Sequence, residues 1–505
     1  MLVIAVGLVG AALRLRQYAA HRSLWLDESF LALNLIRDDV SSLLGRLDFN
    51  QGAAPGYLLI EKGIEAVDRG ELVLRLPALA FGLGTLVLAW QVARRICTGP
   101  AAFLAYALIA VSPALAYYSN ELKQYSGDTA CTLAVTWGAV ALARRPGRRI
   151  AVAAVLVGVA AVVLSNASIL VVGGEGVVLL TVAVLRRERI LYAVVGVWAI
   201  AAGLALAHTL HTDKGLLSSY QSSSELGGGS SSGSGQGLHA VKAIVTAVLG
   251  DVGFPTGGHA FSLVTLVVFA IGVLGAAAIV RGRPVAGALI IAPALVTLVA
   301  NATSHYPVSG RTVLFLVPTA CICVGAGVAA IASASRAAAP AIGLALAVFT
   351  LAYPVHAATT LLRTPTKEEI RPVLATIASQ EQPGDRFFVT YPAQYAVAYY
   401  AACGCSRVPS WGAPAPRGGR PQWSPALRSS PQVIVQAYRG TDDAAYLAQV
   451  RTLPTGRMWV IVSHAADAAE HAFLYDRLQG AFATRGPRLA TIRAHGAMAA
   501  LYALR

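Results

Sequence analysis

Charge is what this sequence has least of. Of 505 residues only 13% are charged, and 25 acids stand against 40 Lys and Arg. A soluble domain of this length would carry about a quarter charged residues. Six cysteines are scattered along the chain. Cys97, Cys131, Cys321 and Cys323 lie in or beside apolar runs, which reads as packing. Cys403 and Cys405 form an isolated C-x-C, too little for a zinc site, and a disulfide across one residue would be strained. Their redox state is left open. No cleavable signal peptide is evident, because the first apolar run leads into RLRQYAAHRS rather than a small-residue cleavage site. No internal repeat relates the two halves of the chain, and there is no obvious acidic metal cage.

What is present is apolar: 56% of residues are hydrophobic and the mean hydropathy is +0.61. The apolar residues come in runs near the ~20 residues that cross a bilayer. About eleven spans are expected, at 1–19, 72–93, 100–118, 126–143, 150–165, 167–185, 190–209, 260–280, 284–301, 311–333 and 339–358. The first is the weakest, because Arg14 and Arg16 shorten its apolar core; they snorkel at its outer end or the true start lies upstream. The net charge of +15 does not point to nucleic acid, because many arginines sit in short loops between apolar runs. Those loops carry Arg94 and Arg95; Arg144, Arg145, Arg148 and Arg149; Arg186, Arg187 and Arg189; Arg281 and Arg283; and Arg336. All fall on one side, which the positive-inside rule makes cytoplasmic. The expected protein is therefore a multi-pass cell (plasma or inner) membrane protein, with its N-terminus cytoplasmic and its C-terminus extracytoplasmic.

The outer face then holds residues 20–71, the turn 119–125, the long loop 210–259, the turn 302–310 and everything after 360. Within the long loop, SSSELGGGSSSGSGQG reads as a flexible connector and HAVKAIVTAVLG as an amphipathic segment. This loop could act as a lid that orders on donor binding. Beyond residue 365 the pattern changes: DRFFVTY, QVIVQAY and MWVIVSH have strand length, AADAAEHAFLYDRL looks helical, and LATIRAHGAMAALYAL could close a hairpin. The fold class expected is a polytopic α-helical membrane module at 1–360, including outer loops 20–71 and 210–259, followed by a soluble extracytoplasmic α/β domain at 361–505.

The polar residues that a membrane protein avoids collect at outer span ends. Asp27 and Glu28 in RSLWLDESF start a helix, so Asp27 can serve as its N-cap. They also sit at a membrane face where acids are costly. In YYSNELKQYS, Tyr117, Tyr118 and Tyr125 fit an interfacial belt, whereas Glu121 and Lys123 on a tight outer turn are less well explained. In SHYPVSGR, Pro307 and Gly310 mark a turn and Arg311 opens a span. Arg311 is either a snorkelling cation or an anchor for a phosphate, which a guanidinium fork suits. His305, Tyr306 and His259 are accessory candidates. Glu175 in VVGGEGVV reads as an interhelix hydrogen bond.

With these residues in view, the chain resembles the GT-C superfamily of membrane glycosyltransferases. It is most similar to the branch holding protein O-mannosyltransferases and the lipid A aminoarabinose transferase. LWLDESF after the first span, AAPGYLLIEK in the same loop, YYSNELKQYS after the third span, and SHYPVSGR leading into a span that ends LFLVP carry the resemblance. It implies transfer of a hexosyl or pentosyl unit from a polyprenyl-phosphate donor to a lipid, glycan or protein acceptor on the outer face. It makes Asp27 the general base, with Glu28 supporting it or binding acceptor. It places Glu121, Lys123, Tyr125, His305, Tyr306 and Arg311 among the substrate-binding residues; Lys123 stands where relatives commonly have Arg. Direct displacement with inversion follows from one base and one anionic leaving group. No cofactor is required, although a two-acid site could recruit a divalent ion. A transporter or flippase for a lipid-linked or anionic solute is the competing class. Against it stand the absence of repeats and of paired Gly/Pro-broken helices. A sensor or scaffold built on the outer domain would leave Asp27 and Glu28 unexplained.

Overall fold

The computed structural model describes residues 1–212, 235–256, 262–303, 305–308, 310–334, 338–363, 367–408, 426–427, 429–436 and 442–505. Of the loop 210–259 read as a lid, residues 213–234, with most of the Ser/Gly-rich connector, and 257–259, with His259, fall outside them, as does Arg336; its amphipathic segment lies in the helix Gly235–Val252. The chain divides into two compact units. The first comprises Met1–Ala20, Gly52–Ile60 and Arg75–Thr364; the second comprises His21–Gln51, Glu61–Leu74 and Pro365–Arg505.

The first unit is a bundle of long apolar helices, and each of the eleven expected spans is helical. In hydrocarbon every backbone N–H and C=O must be satisfied within the segment, which a helix achieves. Among the described residues eight helices are long and apolar enough to cross a membrane, and the chain is a multi-pass membrane protein. A ninth span is formed if Gly99–Val111 and Pro113–Asn120, bent by 52°, count together. The bend has a local cause. Pro113 pushes Ser112 out of the helical region, to φ −54° and ψ 119°, and the Ser112 hydroxyl accepts the Leu115 N–H to restart the helix. The remaining two, Tyr125–Arg144 and Arg148–Leu164, are less clear as spans: one opens on a polar turn with Asp128 and Thr129, the other has 17 residues.

Helices in the bundle approach closely where glycine allows it. A Cβ on Gly275 would lie 1.8 Å from the Cys323 carbonyl oxygen, and one on Gly327 would lie 1.9 Å from that of Ile271. Leu263–Gly282 and Val317–Ala334 therefore meet backbone to backbone, as small residues permit in membranes. Glu175 makes the expected interhelix bond, accepting from the Thr136 hydroxyl at 2.5 Å. Four of the basic loops gather at one end of this bundle. Arg144 donates to the Arg95 carbonyl; Arg283 reaches the same carbonyl at 2.8 Å and that of Ile96 at 2.9 Å; Arg186 donates to Ala143 at 2.7 Å. Each arginine thus satisfies carbonyls left over at a helix C-terminus.

The second unit contains a five-stranded sheet of order β2-β1-β3-β5-β4, with β1 Arg386–Val389, β2 Val433–Val435, β3 Gly456–Ser463, β4 Arg488–Ala494 and β5 Ala497–Leu504. β1 pairs in parallel with β2 and β3, while β5 runs antiparallel to β3 and β4. One face buries Phe388, Met458, Val460, Val462 and Tyr502 against Phe473, Leu478 and Phe482. The expected helix after β3 is present but interrupted: Phe473–Arg477 is a π turn between Ala468–Ala472 and Leu478–Arg485. Three rings join the Leu26–Arg37 helix to the Ala393–Cys403 helix within this unit. Phe30 lies 4.6 Å from Tyr395 and 5.3 Å from Phe49, which is itself 5.3 Å from Tyr395.

Cys403 and Cys405 are joined in a disulfide with Cα atoms 5.1 Å apart. Gly404 between them takes φ +66°, a left-handed turn that ends the helix and that glycine adopts without strain.

Asp385 anchors the start of β1. Buried, it accepts from Arg457 Nε at 2.6 Å, Trp459 Nε1 at 3.0 Å and the Gln382 N–H at 3.1 Å. Burial pushes its carboxyl up, but these donors, Arg457 first, hold it below the usual carboxylate value. Its contribution to stability is present above about pH 4 and is lost as pH falls through its lowered folded value. Asp385→Ala leaves the Arg457 charge without its partner and should cost about 3 kcal/mol, read as a fall in thermal midpoint at neutral pH that shrinks in acid.

Candidate active site

Asp27 and Glu28 belong to the second unit, in the first turn of Leu26–Arg37. The N-cap is Trp25, in extended backbone, and not Asp27 as the sequence pattern suggested. The capping acid is Glu28, whose carboxylate accepts the Trp25 N–H at 3.4 Å. This is half of a capping box, made by the third helical residue reaching back. Glu28 is 1% exposed, whereas Asp27 is half-buried. A helix N-terminus favours negative charge at both.

The chain leading into this turn is tightly held. The Leu24 N–H donates to the Tyr400 hydroxyl at 3.0 Å, and that hydroxyl donates to Glu71 Oε1 at 2.7 Å. Arg371 donates to Glu71 Oε1 at 2.9 Å and to the His21 carbonyl at 2.6 Å. Ser23 donates through both N–H and hydroxyl to Glu369 Oε2, at 3.3 and 3.0 Å. Lys367 Nζ sits 3.4 Å from the Trp25 ring centroid, a cation–π contact.

His464 completes this surrounding. Its Nδ1 lies 2.6 Å from Glu368 Oε1, and its backbone is left-handed at φ +60°, a rare conformation for a residue with a side chain. Burial pulls the imidazole toward the neutral form, but Glu368, Glu470 and Asp27 outweigh this and raise its pKa.

The other six predicted residues belong to the first unit. The bend at Ser112 leads into a turn where Lys123 N–H donates to the Glu121 carbonyl at 2.7 Å. Glu121 is 1% and Lys123 7% exposed. Asn120 fixes the turn by donating to Arg14 and Ala116 carbonyls at 3.2 and 3.1 Å. Tyr117, Tyr118 and Tyr125 stack edge to face in series, at 5.2 and 5.4 Å. Arg311 brings the two polar turns together, its guanidinium carbon 5.9 Å from the Tyr125 ring. Tyr306 donates to the Thr312 carbonyl at 2.7 Å and Thr312 to that of Pro307 at 2.8 Å, which shapes the approach to Arg311. His305 is exposed, and among the described residues only its backbone is bonded, to Ala300 at 2.8 Å. No three His, Cys, Asp or Glu side chains gather at metal-binding distance among the described residues.

Sequence reasoning missed His464 with Glu368, and Asp251. Asp251 ends the Gly235–Val252 helix, and a Cβ on Gly310 would lie 3.3 Å from its Oδ1. Its Oδ2 is buried without a hydrogen-bond partner among the described residues, and burial pushes its carboxyl up to about 7. The only signal available was an acid in the apolar stretch AVLGDVGF.

The fold of this chain is similar to that of several solved structures. Two crystal structures of ArnT, the lipid A aminoarabinose transferase, from Cupriavidus metallidurans match 99% of this chain and 97% of their own, at TM-score 0.55 and 14% identity. One is the apo state and the other is bound to undecaprenyl phosphate. The Archaeoglobus fulgidus oligosaccharyltransferase tethered to an acceptor peptide matches 96% of this chain and 72% of its own, at TM-score 0.52 and 11% identity. No protein-family model and no curated protein matches the sequence.

Two titrations test this description. The raised His464 contributes stability that is fully present below about pH 6.5 and is lost as pH rises through its folded value. In His464→Gln the thermal midpoint should lose that alkaline decline, measured by scanning fluorimetry across the range. For Asp251 the sign is opposite. Between about pH 4 and pH 7 the folded protein keeps a proton that the unfolded chain releases, so stability falls as pH rises. Asp251→Asn should therefore melt above wild type at alkaline pH and lack this slope.

Proposed function

We propose that this protein is a glycosyltransferase that moves a hexosyl or pentosyl unit from a polyprenyl-phosphate donor to an acceptor hydroxyl on the outer face of the membrane, with inversion. The observation that carries the reading is the fold shared over 99% of the chain with a transferase crystallised with undecaprenyl phosphate. In this reading the arginine-rich end of the bundle faces the cytoplasm and the C-terminal domain lies outside the cell (plasma or inner) membrane. The acceptor is a lipid, glycan or protein.

Asp27 takes the proton from the acceptor hydroxyl as the carbon–oxygen bond forms. Glu28, occupied with the Trp25 N–H, keeps that turn in place. The bond that breaks joins the anomeric carbon to the carrier phosphate, which leaves as an anion and needs cations rather than a proton. Lys123 and Arg311 are the cations assigned to it, with Tyr125 and Tyr306 orienting Arg311 and its turn. Glu121 and His305 are assigned to substrate binding. Because these cations neutralise the leaving group, the reaction asks for no divalent ion.

The test is release of polyprenyl phosphate from a polyprenyl-phosphate sugar by purified protein, with a membrane extract as acceptor and with or without chelator. Wild type should release carrier in both conditions. Asp27→Asn should lose about 10²–10⁴-fold in rate while staying folded, with only a small fall in melting temperature from the lost charge beside His464. Glu28→Ala should instead cost about 1 kcal/mol of stability, as loss of a cap does. Equal rates for wild type and Asp27→Asn would remove Asp27 from the chemistry. Carrier binding without release by either would favour the transporter.

A further inference from the structure

The arginine-rich end of the first unit holds a cavity of about 550 Å³. Arg144, Arg186 and Arg283 stand on its wall, and Val140, Ala286 and Leu289 give it an apolar lining. Among the described residues no acidic side chain lines it. Among the described residues none of the three arginines, nor Arg95 beside them, takes part in an ion pair. Three guanidiniums drawn together from three loops repel one another; water and salt screen part of this at the exposed Arg144 and Arg186, and an anion shared by the forks would offset the rest.

Backbone carbonyls fix the geometry. Arg144 and Arg283 both donate to Arg95, and Arg186 donates to Ala143. Each guanidinium has five donors, so most of every fork is left for another acceptor. Carbonyls are neutral and cancel no charge. The complement to several arginine forks over an apolar lining is a phosphate attached to something apolar. A role in membrane topology alone does not account for the convergence. Arg144 and Arg186 are exposed, as are Arg145, Arg148 and Arg149 in the first of these loops, but the latter three do not line the cavity.

We propose that the cavity formed by Arg144, Arg186 and Arg283 is a phosphate-binding site, and that its ligand is an anionic phospholipid of the leaflet at that end of the bundle. The headgroup phosphate meets the three forks, while the glycerol and upper acyl chains lie along Val140, Ala286 and Leu289. The site is independent of the residues assigned to transfer. It would tie the loops at this end together through a shared anion.

Native mass spectrometry of detergent-purified protein titrated with phosphatidylglycerol or phosphatidylcholine tests it. Arg144→Gln/Arg186→Gln/Arg283→Gln should weaken phosphatidylglycerol binding by about tenfold or more, since each basic residue near an anionic headgroup contributes substantially. Phosphatidylcholine binding should not change. Arg145→Gln/Arg148→Gln/Arg149→Gln removes the same charge outside the cavity and should bind as wild type. If the first variant does not fold, the corresponding triple lysine variant keeps charge without forks and should show a smaller loss. Excess inorganic phosphate that fails to displace the lipid identifies the lipid as ligand; displacement identifies soluble phosphate as the occupant of the same site. Equal losses in the cavity and control variants would overturn the proposal as diffuse charge, and no loss in either, or in the lysine variant where it is the one used, would overturn it outright.

Discussion

A single buried carboxylate holds the acid site of the second unit in place. Glu71 is 2% exposed and takes hydrogen bonds from Tyr400 at 2.7 Å and Arg371 at 2.9 Å, with His21 Nε2 3.2 Å away. The Tyr400 hydroxyl then accepts the Leu24 N–H, three residues before Asp27. A charge removed from water is tolerable only when its oxygens are answered this fully, and taking away one partner strands the rest. The network therefore has few alternatives. It fixes Leu24, which fixes Trp25 as the N-cap, which decides that Glu28 turns back and Asp27 does not. The Phe30, Phe49 and Tyr395 rings secure the helix one turn further on. Position at this site is the product of buried charge followed by aromatic packing.

In the first unit the governing constraint is the bilayer. Backbone groups must be satisfied inside each helix, so polar chemistry is confined to ends and breaks. The two kinds of end differ. One gathers arginines that answer helix carbonyls, with Arg95 also 4.2 Å from the Trp137 ring. The other kind is made by the broken helix at Ser112 and the three-ten segment Gly310–Leu316, and combines tyrosines with Glu121, Lys123 and Arg311, with Asp251 beside Gly310. A break is where a side chain can be aimed across a helix axis. Pro113 is therefore as much a part of the Glu121–Lys123 turn as the charged residues are.

What could be read in advance follows from range. Apolar runs of membrane length are local, and the described residues of all eleven are largely helical, eight of them long and apolar enough to span and a ninth if the bent pair at Ser112 counts as one. The strand-length runs in the last part of the chain likewise became β1, β2 and β3, and the closing hairpin became β4 and β5. The acid pair was legible as a helix start, but not which acid caps it, because that depends on the extended backbone of Trp25. The Glu71 contacts with Tyr400 and Arg371 join residues 329 and 300 positions apart, beyond any pattern in the sequence. The C-x-C pairing depended on Gly404 turning left-handed, and His464 on a backbone conformation that its residue type does not announce. Asp251 looked like one acid at the end of an amphipathic stretch, and only the approach of Gly310 gives it a location.

The two neighbouring acids show how the proposed chemistry and the fold constrain each other. A carboxylate is a weak base, with an ordinary aspartate value of about 3.9, so it does not ionise an acceptor hydroxyl in advance. It can only take the proton late, once the new bond to the sugar is well formed. Late transfer requires the sugar to carry positive charge in the transition state, which requires a leaving group that departs early and is stable as an anion. A phosphate carrier meets that requirement without a general acid, whereas a sugar or alkoxide leaving group would not. Asp27 lies in the first turn of its helix, where negative charge is favoured, and is one of the carboxylates that raise the pKa of His464. In the proposed reaction the electrostatics of this turn would therefore suit a phosphate leaving group.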